Sequence, residues 1–518
     1  MLVKKITAVE AAEMIFDGAR VGIGGFVGIA VAEEIYKAIE KRFLETKSPR
    51  DLSLFFVAGQ GNGAEKGLSR FAYEGLLKRT IGAHYGLSPR LQALVAENKI
   101  EAYNFPQGIL NQLLRTIAGK KGYAISKVGM HTFVDPDLEG GKLNSKTQQD
   151  LVKKTQIDGQ DFLLYKTGRF DFVILRGTYA DEYGNISMEK EALKIENLPM
   201  AMAARNSGGK VIVQVEKIVP NGTLDPKSVV IPSICVDFVV EVEDMKNHMQ
   251  TFAEDFNPEY ISSKPIEKDD FFPYPLNERK IIARRAAMFL QKEMKVLNFG
   301  IGLPEVVAQV IEEEGISDNF TPTVEPGGIG GIAAGGLSFG ALRAPQAILD
   351  HAYQFDFYDG GGLDITFLGM AECDIFGNVN VSKFGPKIAG CGGFIDISQN
   401  THNVVFCGTF MAGKMQFETG NGAFKIIKDG NVPKLIDFVE QITFSGEYAR
   451  EKGQIVHYVT ERAVFKITNE GFTLIEIAPG VDLERDILAH MSFKPNISKE
   501  LKLMDSRLFK IEKMGLTL

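Results

Sequence analysis

The sequence predicts an α/β protein made of two related halves, each an open, mostly parallel sheet with helices on its faces. Two observations favour this fold. Short apolar, strand-like runs alternate with helical patterns, as in parallel sheets whose connections are helices. The chain also repeats part of its own pattern. The strand-like runs are 52–57, 172–175, 211–215, 365–368 and 404–406.

The first repeated segment lies near the N-terminus. Thr7 and Glu10 have the spacing of a capping box, which predicts the start of a helix. A buried strand ending in a glycine turn is predicted at 21–26, and a second helix then runs through residue 39. The same order recurs over 280–314 at an offset of 275 residues, where Lys5 corresponds to Lys280 and Gly25 to Gly300.

A second repeated segment lies further along the chain. Residues 181–186 (DEYGNI) correspond to 374–379 (DIFGNV) at an offset of 193, which also aligns 211–215 with 404–408. These ordered pairs predict two related halves, 1–255 and 280–518. Residues 256–279 are predicted as a linker because prolines after Asn257, Lys264 and Tyr274 interrupt any periodicity. Near the C-terminus, 483–490 is predicted as a charged helix, and we assign it no chemistry.

The composition is that of an ordinary globular protein, with 518 residues, 45% of them hydrophobic and 24% charged. The net charge of −8 gives no general attraction to nucleic acid or to an anionic membrane. Apolar runs are too short to span a bilayer. The four cysteines form no close pair, which predicts free thiols in a reducing compartment. Acidic residues near the N-terminus argue against a signal peptide, so we predict a cytoplasmic protein.

Glycine is densest at 324–336, where Glu325 is the only titratable side chain. Such a run costs backbone entropy and suits close approach of a partner or positive φ. A carboxylate on it is open to a bulky substrate, which favours a nucleophile that forms a covalent acyl intermediate. The alternative is a tight turn whose glutamate faces water.

Three other segments are candidate ligand sites. Residues 22–26 (GIGGF) present backbone N–H groups to an anion, or simply connect a strand to a helix. Residues 298–305 end a strand and begin a helix, a place where phosphate binds in many proteins. Gln107 puts a neutral amide beside either a carbonyl oxygen or solvent. The loose dinucleotide patterns at 59–64 and 328–333 lack the third glycine and give weak support for a nicotinamide or flavin site.

Several common chemistries have no signal in the sequence. The seven histidines are scattered, and no histidine–cysteine cluster predicts a metal site. Neither a serine nucleophile elbow nor a P-loop occurs. A carboxylate nucleophile is the chemistry that remains.

Six motifs, taken in order, resemble the family I coenzyme A transferases, and most of all the fused single-chain type represented by propionate and acetate CoA-transferases. In that family the halves correspond to α and β subunits. Two positions differ from the common pattern: Ala30 begins a segment where the family has Gly-x-Pro, and Pro326 replaces an asparagine, as in the propionate-type branch. The motifs are 22–26, 105–108, 298–304, 324–327, 374–379 and 390–394.

The resemblance implies a role for each matching residue. Glu325 is the expected nucleophile, and Gln107 is expected to polarise the acyl carbonyl. The backbone amides at Gly392 and Gly393 are expected to form an oxyanion site. The expected coenzyme A contacts are Gly24, Gly25, Phe26, Asn298, Gly300, Ile301, Gly302 and Lys414.

The implied activity is transfer of CoA from a short-chain acyl-CoA (acetyl-, propionyl- or butyryl-CoA) to an acceptor carboxylate, by a ping-pong mechanism through a glutamyl-CoA thioester. CoA is then a substrate, and no tightly bound cofactor, metal, nucleic acid or membrane is expected. A homo-oligomer is expected from the family. The bulky apolar residues Phe26, Val27, Tyr103 and Phe105 suit a short acid. Alternatives are an acyl-CoA hydrolase on the same scaffold and a non-catalytic small-molecule sensor.

Overall fold

The computed structural model describes residues 2–266 and 273–518, so 267–272 of the predicted linker lie outside the described residues. The chain forms two compact units that do not follow chain order. The first contains the described residues of 1–266 with Val324–Asp359 and Lys383–Asp396. The second contains those of 267–323 with Gly360–Ser382 and Ile397–Leu518. Glu325 and its glycine-rich segment therefore belong to the first unit.

The first unit is built on an eight-stranded sheet whose described neighbours all pair in parallel. The order is β1-β8-β7-β6-β2-β3-β4-β5. Its strands are β1 (Lys4–Lys5), β2 (Arg20–Ile23), β3 (Leu52–Phe56), β4 (Leu77–Gly82), β5 (Glu101–Asn104), β6 (Phe172–Arg176), β7 (Lys210–Val215) and β8 (Phe238–Glu241).

The second unit contains eight strands that are consecutive neighbours in one sheet, in the order β10-β9-β11-β12-β13-β14-β15-β16. Its first five strands and its last pair are parallel, and β14 is antiparallel to both neighbours. The strands are β9 (Val296–Phe299), β10 (Thr321–Thr323), β11 (Ile365–Gly369), β12 (Asn403–Cys407), β13 (Ile455–Val459), β14 (Ala463–Thr468), β15 (Gly471–Ile477) and β16 (Asn496–Leu503). The predicted α/β class with open, mostly parallel sheets is confirmed.

Helices connect many of these strands. They are α1 (Ala8–Met14), α2 (Glu33–Thr46), α3 (Pro89–Ala96), α4 (Gln107–Ala118), α5 (Asn197–Ser207), α6 (Glu278–Ala287), α7 (Glu305–Glu314), α8 (His351–Asp359), α9 (Phe394–Asn400) and α10 (Gly446–Glu451). The predicted capping box is present at α1: the Glu10 N–H donates to Thr7 Oγ1 over 3.1 Å, and the Thr7 N–H donates to Glu10 Oε2 over 2.7 Å.

Both units also contain shorter strands outside these series. In the first unit they are Tyr123–Ser126, Val152–Ile157, Gln160–Lys166, Tyr179–Asp181, Ile186–Ser187, Lys217–Val219, Val229–Ile231, Gly328–Ile329, Ile332–Ala333, Leu342–Arg343, Ala347–Ile348, Lys383–Phe384 and Lys387–Ile388. In the second unit they are Glu372–Cys373, Val379–Asn380, Met411–Ala412, Gln416–Gly420, Ala423–Lys428 and Val432–Pro433.

The internal repeat is visible in the topology of the two sheets. The local order β3-β2-β6-β7 in the first sheet corresponds to β10-β9-β11-β12 in the second. The offset 275 aligns β2 with β9, and the offset 193 aligns β6 with β11 and β7 with β12. The matching turns also fold alike. Asp181 Oδ2 accepts from the Asn185 side-chain amide over 2.8 Å, and Asp374 Oδ2 accepts from the Asn378 amide over 3.0 Å.

The C-terminal region differs from its prediction. Residues 483–490 are helical, but as a π-helical turn, Leu483–Ile487, followed by a 3-10 turn, Leu488–His490. Sequence analysis did not predict β16. This strand is largely exposed and carries lysines, which is typical of a sheet edge.

The described part of the chain has neither a membrane-spanning helix nor a metal-binding cluster. None of its helices is both long and apolar enough to cross a bilayer. No group of three or more histidine, cysteine or acidic side chains there is placed to hold a metal ion. All four cysteines are buried and are not joined in disulfides.

Candidate active site

Glu325 lies on a tight turn that only glycine allows. The Val324 N–H donates to the Gly328 carbonyl over 3.0 Å, and the Gly327 N–H donates to the Val324 carbonyl over 3.1 Å. Gly327 has φ +119°, and a Cβ there would lie 2.2 Å from the Leu349 carbonyl oxygen. A side chain at 327 would collide with backbone, so the turn holds Glu325 in a fixed position.

Gln107 is the first residue of α4, just beyond the carboxyl end of β5. Its side chain is 1% exposed, and its Nε2 lies 3.4 Å from Glu325 Oε1. The Gln107 backbone N–H donates to the Gly392 carbonyl over 3.0 Å. The structure thus brings together Glu325, Gln107 and the 392–393 segment, which the sequence predicted separately.

Two further residues complete this cluster, and sequence analysis did not single them out. His351 Nε2 lies 2.8 Å from Gln107 Nε2, and His351 Nδ1 lies 2.8 Å from Glu196 Oε2. Both His351 and Glu196 are 0% exposed. Because they are separated by 155 residues in the chain, no local pattern could have paired them.

The two predicted oxyanion glycines have different surroundings. The Gly392 N–H donates to the Ala83 carbonyl over 2.8 Å and is therefore occupied. At Gly393, a Cβ would lie 2.6 Å from Glu325 Oε2 and 2.8 Å from Phe355 Cζ. Gly393 thus forms the wall against which the carboxylate lies, and its close approach depends on the missing side chain.

The surroundings of Glu325 bring the pKa of its carboxyl close to neutral pH. Desolvation of this half-buried carboxyl raises its pKa to about 7, although the N–H of Gln107 partly opposes the rise. A carboxyl with such a pKa is a stronger nucleophile, when ionised, than an ordinary surface glutamate. Perturbed values of this kind are found at functional sites more often than elsewhere.

Two further acidic residues, Asp359 and Asp396, contact α4. Asp396 is fully buried and accepts from the Gly108 backbone N–H, and Gln112 Nε2 donates to Asp359 Oδ2 over 3.0 Å. Burial and the negative charge of Asp356 raise the pKa of Asp359 to about 7, and burial and the negative charge of Asp359 raise the pKa of Asp396.

The predicted anion-binding loop at 24–26 already uses its backbone N–H groups. The Gly24 N–H donates to the Ile174 carbonyl over 3.2 Å, and the Phe26 N–H to the Ile29 carbonyl over 3.0 Å. The Gly25 N–H donates to Glu196 Oε1 over 3.3 Å. The anion on this loop is therefore the carboxylate of the chain's own Glu196.

The four residues predicted to line an acid pocket separate into two places. Phe26 is 4% exposed, and its ring centroid lies 5.9 Å from that of Phe339 and 6.1 Å from that of His351. Val27 belongs to the same apolar cluster. Phe105, in contrast, packs on Tyr165, and the Tyr103 hydroxyl donates to the Gln149 carbonyl. Of these four residues, Phe26 is the one whose ring lies near His351.

The remaining predicted coenzyme A contacts belong to the second unit. Asn298 is the next-to-last residue of β9, and its Nδ2 donates to the Thr323 carbonyl over 3.3 Å. Beyond it, the Gly300 N–H donates to the Phe367 carbonyl, and the Gly302 N–H donates to Glu305 Oε1. The Ile301 side chain between them is exposed. Lys414 is exposed, and within the described residues no carboxylate pairs with it.

Fold and site define an α/β protein with a shielded carboxylate between an amide donor and a glycine wall, which is an arrangement suited to acyl transfer. The chain belongs to the coenzyme A transferase family, whose model, described as coenzyme A transferase, matches residues 5–242. It is accordingly a CoA-transferase of the fused, single-chain kind.

Two similar curated proteins cover nearly the whole chain. The acetate CoA-transferase YdiF of Escherichia coli O157:H7 is 44% identical over 517 residues, which are 99% of this chain and 96% of that protein. The caffeate CoA-transferase of Acetobacterium woodii is 45% identical over 515 residues, 98% of each chain.

Two solved structures superpose closely on this chain. The crystal structure of the acyl-CoA transferase YdiF apoenzyme from E. coli O157:H7 superposes with a TM-score of 0.95 at 43% identity, covering 100% of this chain and 98% of that one. Its thioester complex with CoA superposes with a TM-score of 0.93 at 44% identity and the same coverage.

Proposed function

We propose that this CoA-transferase moves CoA from a short-chain acyl-CoA, such as acetyl-, propionyl- or butyryl-CoA, to an acceptor carboxylate, with Glu325 as the nucleophile. The observation that supports this most is the position of Glu325 on a rigid glycine turn, 3.4 Å from the Gln107 amide nitrogen. The thioester complex of a 44% identical acyl-CoA transferase is consistent with a covalent route.

The proposed reaction is a double displacement. Glu325 attacks the acyl-CoA carbonyl, the C–S bond breaks, and an acyl-glutamyl anhydride and CoA thiolate form. The thiolate then attacks the glutamyl carbonyl and releases the free acid, which leaves a glutamyl-CoA thioester. An acceptor carboxylate reverses both steps and departs as the new acyl-CoA.

Each step passes through a tetrahedral oxyanion that needs hydrogen-bond donors. Because the Gly392 N–H is occupied by Ala83, the proposed donors are the Gly393 N–H and the Gln107 amide. Loss of one such donor typically lowers kcat by about 10²–10³-fold.

Coenzyme A is proposed to act as a substrate, with no cofactor tightly bound. Its proposed contacts are the turn at 298–302, where Ile301 is exposed, together with Lys414, Gly24, Gly25 and Phe26. Binding of the distant nucleotide can supply energy for strain at the thioester. Three expectations stay predictions: the division into an α-type half, 1–255, and a β-type half, 280–518; a cytoplasmic location; and a homo-oligomer.

A pH dependence follows from the pKa of Glu325. The nucleophile must be ionised, so kcat/KM for acyl-CoA should fall as pH drops below about 7, in line with the raised pKa of the carboxyl. Replacing Gln107 with alanine removes a hydrogen bond to the carboxylate and should move the midpoint to higher pH. Initial rates between about pH 5.5 and 8.5 measure this. A flat profile, or a midpoint moved downward in Gln107→Ala, would contradict the assignment.

The proposed preference for short acids depends on Phe26. The two relatives are named for different acids, acetate and caffeate. Sequence identity alone therefore does not indicate which acid this chain prefers. The Phe26 ring, buried against Phe339, leaves little room beside the site. Phe26→Ala should therefore raise kcat/KM for hexanoate relative to acetate by roughly tenfold. The control is Phe71→Ala, which also removes a buried ring but in the core beside Tyr36. It should leave the ratio of kcat/KM for hexanoate to that for acetate unchanged.

Omission of the acceptor acid tests transfer against hydrolysis. With acyl-CoA alone, the proposed transferase releases one acid per active site and then stops, because the glutamyl-CoA thioester waits for a carboxylate. Addition of acetate should restart turnover. Continued release of CoA without any acceptor would identify an acyl-CoA hydrolase.

A further inference from the structure

We propose that His351 and Glu196 are a positioning pair that holds the Gln107 amide with its nitrogen toward Glu325. This inference rests on the proposed function of Glu325. Neither residue is offered as a group that touches substrate. Their effect is exerted through Gln107, whose amide is the one group in contact with both His351 and Glu325 in the described hydrogen bonds.

The hydrogen-bonding requirements determine the protonation of each member. The Glu196 carboxylate only accepts, so the hydrogen on His351 is at Nδ1, 2.8 Å from Glu196 Oε2. A neutral imidazole protonated at Nδ1 has a lone pair at Nε2. That lone pair accepts from the Gln107 amide nitrogen 2.8 Å away. The second N–H of the same amide is then left for Glu325 Oε1, at 3.4 Å.

The backbone fixes the outer end of this chain of hydrogen bonds. Glu196 immediately precedes α5, where the helix dipole stabilises a negative charge. Ile195 has φ +47°, an unfavourable conformation for a β-branched residue, and the His351 N–H donates to its carbonyl over 3.2 Å. The Gly25 N–H holds the other carboxylate oxygen of Glu196 over 3.3 Å. Strained backbone of this kind persists where the surroundings determine it strongly.

The orientation of the Gln107 amide matters to the reaction. If the amide were rotated, its oxygen would face the Glu325 carboxylate and, later, the carbonyl oxygen of the anhydride or thioester, which is repulsive. His351 prevents this rotation as long as its Nε2 accepts a hydrogen bond. The pair therefore supplies preorganisation, which costs no rearrangement at the moment of reaction.

Two substitutions at 351 separate the two nitrogens of the imidazole. His351→Gln keeps an acceptor near the position of Nε2, whereas His351→Asn keeps a polar group only near Nδ1. We expect His351→Asn to lower kcat by roughly 10–100-fold with the KM for acyl-CoA changed less than about twofold. His351→Gln should stay within about fivefold of the wild-type kcat. Equal losses in the two variants would overturn the proposal.

Combination with Gln107→Ala shows whether His351 acts through Gln107. In a Gln107→Ala background, His351→Asn should cost less than about twofold more, because the amide it positions is gone. Losses that multiply would contradict the proposal. Thermal unfolding identifies variants that do not fold. If His351→Asn does not fold, His351→Gln alone provides the test. A loss of kcat in His351→Gln as large as that in Gln107→Ala then overturns the proposal.

Failure of this proposal differs from failure of the proposed function. Wild-type protein is first incubated with acetyl-CoA and examined by intact mass. An adduct on Glu325 together with multiplying losses would overturn the positioning pair and leave the nucleophile intact. A wild type that turns over without any adduct would overturn the nucleophile, and the positioning pair with it.

Discussion

Replacement of Glu325 with glutamine should lower the rate of CoA transfer by at least about 10⁴-fold, since removal of a covalent nucleophile leaves only binding and oxyanion stabilisation. Glutamine has nearly the same shape, so the turn closed by Val324 and Gly328 should be retained. Acyl-CoA should still bind, because the proposed coenzyme A contacts lie elsewhere. Steady-state transfer and equilibrium binding of acetyl-CoA measure the two effects separately.

A control for this prediction is Glu97→Gln. Glu97 is an exposed glutamate at the end of α3, and the same change of charge there should leave the rate within twofold, roughly, of wild type. A Glu325→Gln variant that retains more than about a hundredth of the wild-type rate would rule out Glu325 as the nucleophile.

Replacement of Gly393 with alanine should have the second largest effect, a loss of roughly 10²–10³-fold in kcat. The new Cβ would lie 2.6 Å from Glu325 Oε2 and 2.8 Å from Phe355 Cζ, so the carboxylate must move. A displaced carboxylate no longer lies beside the Gln107 amide. Transfer rates and the rate of formation of a covalent CoA adduct measure the loss.

Gly122→Ala is the matched substitution for this prediction, because a Cβ at Gly122 meets no atom within 4 Å. It should leave both rates unchanged. Thermal unfolding of Gly393→Ala separates a steric effect on the site from general destabilisation. Wild-type rates in a folded Gly393→Ala protein would show that the carboxylate does not depend on this glycine wall.

Much of the fold was predictable because it depends on local pattern and on the repeat. Strand positions followed from apolar runs, and the offsets of 275 and 193 predicted strands that occupy equivalent places in the two sheets. The strand β16 was not predictable, because its lysines and its exposure resemble those of a loop. The placing of Glu325 in the first compact unit, beside α4, depends on contacts that are distant in sequence.

The candidate site was predictable only in part, for a similar reason. Glu325 stands out locally as the lone carboxylate in a glycine run, and the resemblance to a family pointed to Gln107 and Gly393. His351 and Glu196 carry no local signal, since their pairing is created by tertiary structure. The hydrogen bond from Gly392 to Ala83 is likewise a tertiary contact, and it leaves Gly393 as the donor we propose.

The most direct test of the proposed mechanism is intact mass after incubation with acetyl-CoA or propionyl-CoA, followed by borohydride treatment and peptide mapping. We expect a covalent CoA adduct that borohydride removes by reducing a glutamyl thioester, with the change located on Glu325. No adduct in a protein that binds CoA and transfers it, or an adduct on another residue, would contradict the assignment of Glu325 as the nucleophile.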